Sequence, residues 1–119
     1  MAHNRTIGIL IFDDAEELDF VGPYEVFTMS NEMYGHTGKP KPDKVILISE
    51  TGGTVTCAKG MRVEAHCSIA DAPKLDVLLI PGGQGTRREA LNKPLLDWVA
   101  KVSATCEWVT SVCTGSLVL

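Results

Sequence analysis

A chain of 119 residues is long enough for one domain and too short for two, and 45% hydrophobic with 22% charged residues is an ordinary globular balance. A formal net charge of −4 with no basic cluster excludes a nucleic-acid surface on this segment, and no apolar run approaches the ~20 residues of a membrane span. The N-terminal Met1-Ala2-His3-Asn4-Arg5 lacks the apolar core of a signal peptide, so a cytoplasmic protein is expected.

Arg5 to Phe12 is a near-continuous apolar run of strand length, the pattern of a strand covered on both faces in a parallel sheet. Asp13 to Asp19 follows as a loop crowded with carboxylates. Pro23 suits the first turn of a helix, and Val26, Phe27, Ser30, Met33 and Tyr34 recur at helical spacing before Gly35. Gly35 to Asp43, with Pro40 and Pro42, reads as a loop in which Lys39, Lys41 and Lys44 are solvated, and Lys44 to Ser49 as a second buried strand. Beyond Gly52-Gly53, Thr54 to Ala58 and Met61 to Cys67 alternate around Lys59-Gly60 as the strands of a hairpin, an alternation that points His66 to solvent. Ser68 to Pro73 is a short turn.

Leu75 to Ile80 is a third buried strand, ending in Pro81-Gly82-Gly83-Gln84-Gly85. This cluster lacks the G-K-[ST] of a Walker loop and the G-x-G-x-x-G of a dinucleotide fold. Two readings stay open: Gly82 and Gly83 bring backbone N–H donors close to a reacting centre, or they make a tight turn. Thr86 to Leu91 and Pro94 to Thr105 read as helices, the second carrying a core stripe of Leu95, Leu96, Trp98, Val99 and Val102. Cys57, Cys67, Cys106 and Cys113 show no C-x-x-C spacing, which gives neither a zinc site nor a thioredoxin-type pair; free thiols are expected.

The last twelve residues organise the rest. Trp108 to Val112 reads as a buried strand that runs into Cys113, then Thr114-Gly115 and an apolar segment resembling the start of a helix. A thiol on a sharp strand-to-helix turn has the setting of a nucleophile elbow, where a strained backbone presents the reactive atom and following N–H groups face the developing charge. Cys113 is therefore the candidate nucleophile, with a small buried hydrophobe as the bland alternative. A helix N-terminus is worth only about 0.3–1 kcal/mol to an adjacent anion, so a second group must help the thiol ionise. Ser116 to Leu119 stops without a glycine cap or a basic residue, which sets the expectation that the natural chain continues and that residues 1–119 are the N-terminal part of one longer domain.

Strands alternating with helices give an α/β domain: a mainly parallel, flavodoxin-like sheet sandwiched by helices and interrupted by one hairpin. Ligands in such folds bind beyond the carboxyl ends of the strands. Three of those ends, Asp13 to Asp19, Pro81 to Gly85 and Cys113-Thr114, are expected to converge.

With these segments in hand, the chain resembles the ThiJ/PfpI superfamily, relatives of the class I glutamine amidotransferase fold. The motifs are E-E-L-D-F-x-G-P at Glu16 to Pro23, L-L-I-P-G-G at Leu78 to Gly83 and V-T-S-V-C-T-G-S at Val109 to Ser116. Aspartate in the first and C-T-G-S in the last resemble the isonitrile hydratase branch, which implies a lyase turning an isonitrile into an N-substituted formamide without a metal or organic cofactor. The resemblance makes Cys113 the nucleophile, Asp19 its acid partner and the N–H groups of Gly83 and Thr114, beside Gly82, the anion-stabilising donors. Asp13, Asp14, Glu16 and Glu17 read as a solvated loop, with Glu17 the chief rival for the role of Asp19. Physics agrees with the pairing, because a carboxyl beside a thiolate tends to keep its proton and donate it. A small-molecule substrate and a homodimer are also implied, with no membrane and no nucleic-acid partner on this segment.

Departures narrow the choice. Thr114 stands where peptidase-like members carry histidine, and Ser111 where amidotransferases usually have glycine. The same C-T-G elbow resembles the sensor domains of AraC-type transcription regulators, which leaves a ligand-sensing module as the alternative, and a redox-sensing or glyoxalase-type protein as a third.

Overall fold

The structure, a computed structural model, describes residues 5–38 and 43–119. In chain order its elements are β1 (Arg5–Leu10), α1 (Glu17–His36), β2 (Asp43–Ser49), β3 (Thr54–Thr56), β4 (Arg62–Glu64), β5 (Cys67–Ser68), β6 (Val77–Ile80), α2 (Gly85–Glu89), α3 (Lys93–Ser103), β7 (Trp108–Ser111) and a 3-10 helix, Cys113–Val118. The main sheet has five strands in the order β5-β2-β1-β6-β7, all parallel, while β3 and β4 form a separate antiparallel hairpin.

The apolar runs decide this arrangement. Ile7, Ile9, Leu10, Ile46, Leu47, Ile48 and Val77 to Ile80 are all buried, as strands covered on both faces must be. Phe20 of α1 and Leu95 and Val99 of α3 pack into the same core. Because β1 pairs with β2 on one side and β6 on the other, the order of strands reverses there. The crevice beyond the carboxyl ends of β1 and β6 is thus where such a fold places a ligand.

The helix α1 starts at Glu17, six residues before Pro23, so Pro23 lies inside it and Asp19 belongs to its first turn rather than to a loop. Carboxylates next to the positive end of a helix dipole are favourable, and Glu17 and Asp19 supply that charge. At its other end α1 passes Gly35 and reaches His36; the expected lysine–proline loop at 39–42 lies outside the described residues. Asn31, on α1's inner face, is buried and donates from Nδ2 to Asp43 O at 2.6 Å while its Oδ1 accepts the Asp43 N–H at 3.1 Å. That double bond to backbone docks the helix on the start of β2.

Two further expectations need correction, and the reading of His66 gains a detail. β7 is half-exposed rather than buried, with Trp108 59% accessible, because it is the last strand in the sheet order. His66 is exposed as read, but its ring is engaged: Nδ1 accepts the Leu47 N–H at 2.8 Å and the imidazole stacks on Tyr24. The segment after Cys113 is a 3-10 rather than an α-helix, and only Gly115 and Val118 of it are buried.

Candidate active site

Three loops meet in the crevice, each held by bonds its sequence dictates. The acidic loop after β1 bends through Asp14, whose φ of 64° is a left-handed conformation that aspartate tolerates better than most residues. It is fastened to the glycine loop after β6: Glu16 N–H donates to Gly82 O at 2.9 Å, Gly85 N–H to Asp14 O at 3.2 Å, and Arg88 Nη2 to Asp13 O at 2.6 Å. Arg88 also pairs with Asp14 and with buried Glu89.

The third loop is the elbow. Val112 is still extended and donates to Ile80 O at 2.9 Å; the chain then turns through Cys113 at φ 49° and closes with Gly115 N–H on Val112 O at 2.9 Å. A non-glycine residue in the left-handed region costs about 1–2 kcal/mol, so the strain sits on the cysteine itself. Gly115 makes the turn possible: a methyl group there would run into the carbonyl oxygens of Ile80 and Pro81. The thiol of Cys113 is exposed, not part of the core.

Gly82 is the meeting point. A β-carbon added to it would lie 2.9 Å from Asp19 Oδ2, 3.0 Å from Cys113 Cβ and 3.0 Å from Thr114 N, so these three groups crowd one small volume that only hydrogen can share. The Gly82 N–H donates to Asp19 Oδ2 at 3.1 Å. Gly83, at φ 119°, donates its N–H to Thr114 Oγ1 at 3.1 Å. Both glycine donors are thus engaged, one holding Asp19 and the other Thr114. Thr86, fully buried, donates its hydroxyl to Gly83 O at 2.8 Å and lies 3.2 Å from Thr114 Oγ1. Sequence reasoning missed Thr86, although a threonine one residue past a glycine cluster at a helix start is the signal that could have found it.

Glu17 turns elsewhere. Its Oε2 accepts the N–H groups of Lys59 at 2.8 Å and Met61 at 3.3 Å, at the hairpin tip. Burial pushes this carboxyl up, but the backbone N–H bonds from Glu17 itself, Met61 and Lys59 outweigh it and hold the group below the usual carboxylate range. Such a group is a poor proton donor at neutral pH. Buried Cys57, with Glu17 and Asp13 near it, is pushed up to about 11, chiefly by burial. All four cysteines are free. Among the described residues no three His, Cys, Asp or Glu side chains gather as metal ligands would. A cavity of about 530 Å³ between the hairpin and α2–α3, lined by Phe12, Val55, Arg88, Asn92 and Leu95 among others, contains none of Asp19, Gly82 or Cys113.

Comparison with known proteins bears on this geometry. Residues 5–119 match the DJ-1/PfpI family. The chain is 34% identical over 113 residues to isonitrile hydratase of Pseudomonas putida, covering 95% of this chain and 45% of that protein, so it spans about half of that relative's length. A stretch of 42 residues, 35% of the chain and 16% of the relative, is 40% identical to the HTH-type transcriptional regulator Rv1931c of Mycobacterium tuberculosis. The crystal structure of a ThiJ/PfpI family protein from Pseudomonas syringae superposes with a TM-score of 0.84 at 27% identity, covering 99% of this chain and 46% of that one.

Proposed function

The chain belongs to the DJ-1/PfpI family, and from that premise we propose that it carries the nucleophile, acid and anion-binding turn of a cysteine-dependent hydratase that converts an isonitrile into an N-substituted formamide. The observation that supports this reading most is the packing of Asp19 Oδ2, Cys113 Cβ and Thr114 N around Gly82. Likeness to the Pseudomonas putida hydratase adds the substrate class.

The chemistry balances with water alone. The Cys113 sulfur adds to the terminal isonitrile carbon, and Asp19 delivers a proton to that carbon, leaving a thioimidate. Water then adds across the C=N bond, its oxygen going to carbon and a proton to nitrogen. Collapse of the tetrahedral adduct returns the electron pair to sulfur and a proton to Asp19, releasing the formamide. In this reading the Thr114 N–H, one residue past the nucleophile at the start of the 3-10 helix, is the donor to the charge that develops beside the sulfur; the Gly82 and Gly83 N–H groups serve by fixing Asp19 and Thr114. Glu17, ionised and committed to the hairpin, suits the acid role less well than Asp19.

The test is formamide production from an aryl isonitrile by the full-length protein. Turnover that disappears in Cys113→Ala supports the proposal; a wild-type rate no higher than that of Cys113→Ala refutes it. A homodimer in the cytoplasm completes the proposal, and Leu18, Val21, Met29 and Met33 on α1 are exposed apolar groups that pairing would cover. Sedimentation equilibrium giving only monomer would remove that part. The regulator match favours a second reading, a ligand sensor that binds without turnover. Saturable isonitrile binding with no formamide would select it.

A further inference from the structure

Glu17 is two residues from Asp19 yet spends its carboxylate on a different element. Its Oε2 receives two N–H groups, from Lys59 and Met61, which flank Gly60 at the hairpin tip. Its Oε1 is buried with no hydrogen-bond partner among the described residues. Around this contact the hairpin and the acidic loop are laced together: Asp14 N–H to Thr56 O at 2.8 Å, Ala58 N–H to Ala15 O at 2.9 Å, Thr56 N–H to Asp13 Oδ1 at 3.0 Å, and an ion pair between Lys59 and Glu16. The hairpin is seated by Val55, Cys57 and Ala65 in the core, while its tip residues Lys59, Gly60 and Met61 are exposed and are joined to the acidic loop by these bonds. On the other side of the same helical turn, Glu16 N–H donates to Gly82 O and Asp19 Oδ2 accepts from Gly82 N. The first turn of α1 is thus anchored twice, by Gly82 and by the hairpin.

We propose that Glu17 is a positioning residue: by gripping the hairpin tip it fixes the rotation of α1's first turn, and through it the place of Asp19 beside Cys113. This rests on the reading that Asp19 and Cys113 act together. The role demands an oxygen of the right reach and no proton, whereas a catalytic acid at position 17 would demand the proton and tolerate a change of reach. Two substitutions separate these requirements. Glu17→Gln keeps an acceptor oxygen at the same length and removes the charge; Glu17→Asp keeps the charge and stops one methylene short of the hairpin.

The experiment measures the rate of Cys113 alkylation by iodoacetamide against pH, by mass spectrometry on the full-length protein, with Asp19→Ala as the benchmark and thermal unfolding as the check on folding. Glu17→Asp is expected to move the midpoint of the profile at least halfway to that of Asp19→Ala, and to lower kcat more than it raises KM where isonitrile turnover is present. Glu17→Gln is expected to leave the profile near wild type. A profile unmoved by Glu17→Asp, or moved as far by Glu17→Gln, overturns the proposal. A profile unmoved by Asp19→Ala overturns instead the premise that Asp19 and Cys113 communicate, and this is visible without any Glu17 variant. Amide hydrogen exchange in the wild type gives a readout that needs no substitution: Lys59 and Met61, though exposed, should exchange at least tenfold slower than unstructured amides, and exchange at unstructured rates counts against the grip.

Discussion

At position 113 the backbone holds a φ of 49°, and the same residue carries the sulfur proposed to react. The left-handed region is unfavourable for any residue with a β-carbon, by about 1–2 kcal/mol, and costs glycine almost nothing. Cys113→Gly should therefore be more stable than Cys113→Ala by roughly 1 kcal/mol in denaturant unfolding, although both lack the thiol. Glycine's greater freedom in the unfolded chain works against this gain, so the sign of the difference is the informative quantity. An alanine variant as stable as the glycine variant would mean that the elbow relaxes once the sulfur is gone, and that the surrounding bonds do not impose the strain. Val112 N–H on Ile80 O and Gly115 N–H on Val112 O bracket the turn from both sides, which is why the imposed conformation is expected to persist. The position of this turn was legible in the sequence because strand, cysteine and glycine follow one another without a gap. The elbow setting already implied a strained backbone there, but not that the strain takes the form of a left-handed φ, since no residue type at 113 announces one.

Between elements, stability is concentrated in a few polar ties that hydrophobic periodicity does not reveal. Asn31 satisfies both backbone groups of Asp43, and removing it leaves a buried N–H and a buried C=O without their partner. Each such orphan costs about 1–3 kcal/mol, so Asn31→Ala should lower the unfolding free energy by roughly 2–4 kcal/mol, seen as a fall in the urea midpoint with an unchanged slope. A loss below about 0.5 kcal/mol would show that the start of β2 holds its place without the helix. Gly115 is the comparable point for the 3-10 helix: Gly115→Ala sets a methyl against the Ile80 and Pro81 carbonyls, and should cost about 1–3 kcal/mol while lifting Cys113 and Thr114 off the end of β6. Strands β1, β2 and β6 were readable because three near-continuous apolar runs have no other use in a chain of this size, whereas the two-residue β5 was not, since it falls at the join between the expected hairpin strand, Met61 to Cys67, and the expected turn, Ser68 to Pro73. The start of α1 was not, because Pro23 is a strong helix-opening signal and the acidic run before it reads as loop; the dipole preference of Glu17 and Asp19 decides the matter only once the turn is packed against Gly82. The approach of Asp19 to Cys113 was inferred from strand ends and family likeness, while the grip of Glu17 on the hairpin depended on a contact across forty-two residues that no local pattern carries.

For the molecule as a whole, the titrating groups bound the pH range of the fold from both ends. On the acid side Glu17 is held below the ordinary carboxylate range in the folded chain, so the unfolded state takes up its proton first as pH falls. Its contribution is therefore present above about pH 4.3, the unfolded value for glutamate, and fades as the pH drops toward the folded one. On the alkaline side Cys57 keeps its proton to about pH 11, whereas an unfolded thiol releases it near 9. Between those two values the unfolded state carries fewer protons than the folded state, so stability falls as pH rises. A shift of this size amounts to about 2–3 kcal/mol, a large part of the 5–15 kcal/mol that holds a typical domain folded. Cys67 and Cys106 are raised by burial as well and act in the same direction. The unfolding free energy of the wild type should thus decline between pH 9 and 11. In Cys57→Ala the absolute value will differ through the lost packing of the sulfur, but the decline should be shallower by about 2–3 kcal/mol across that interval. Equal declines in the two proteins would place the buried thiol's ionisation outside the unfolding equilibrium and assign the alkaline limit to other groups.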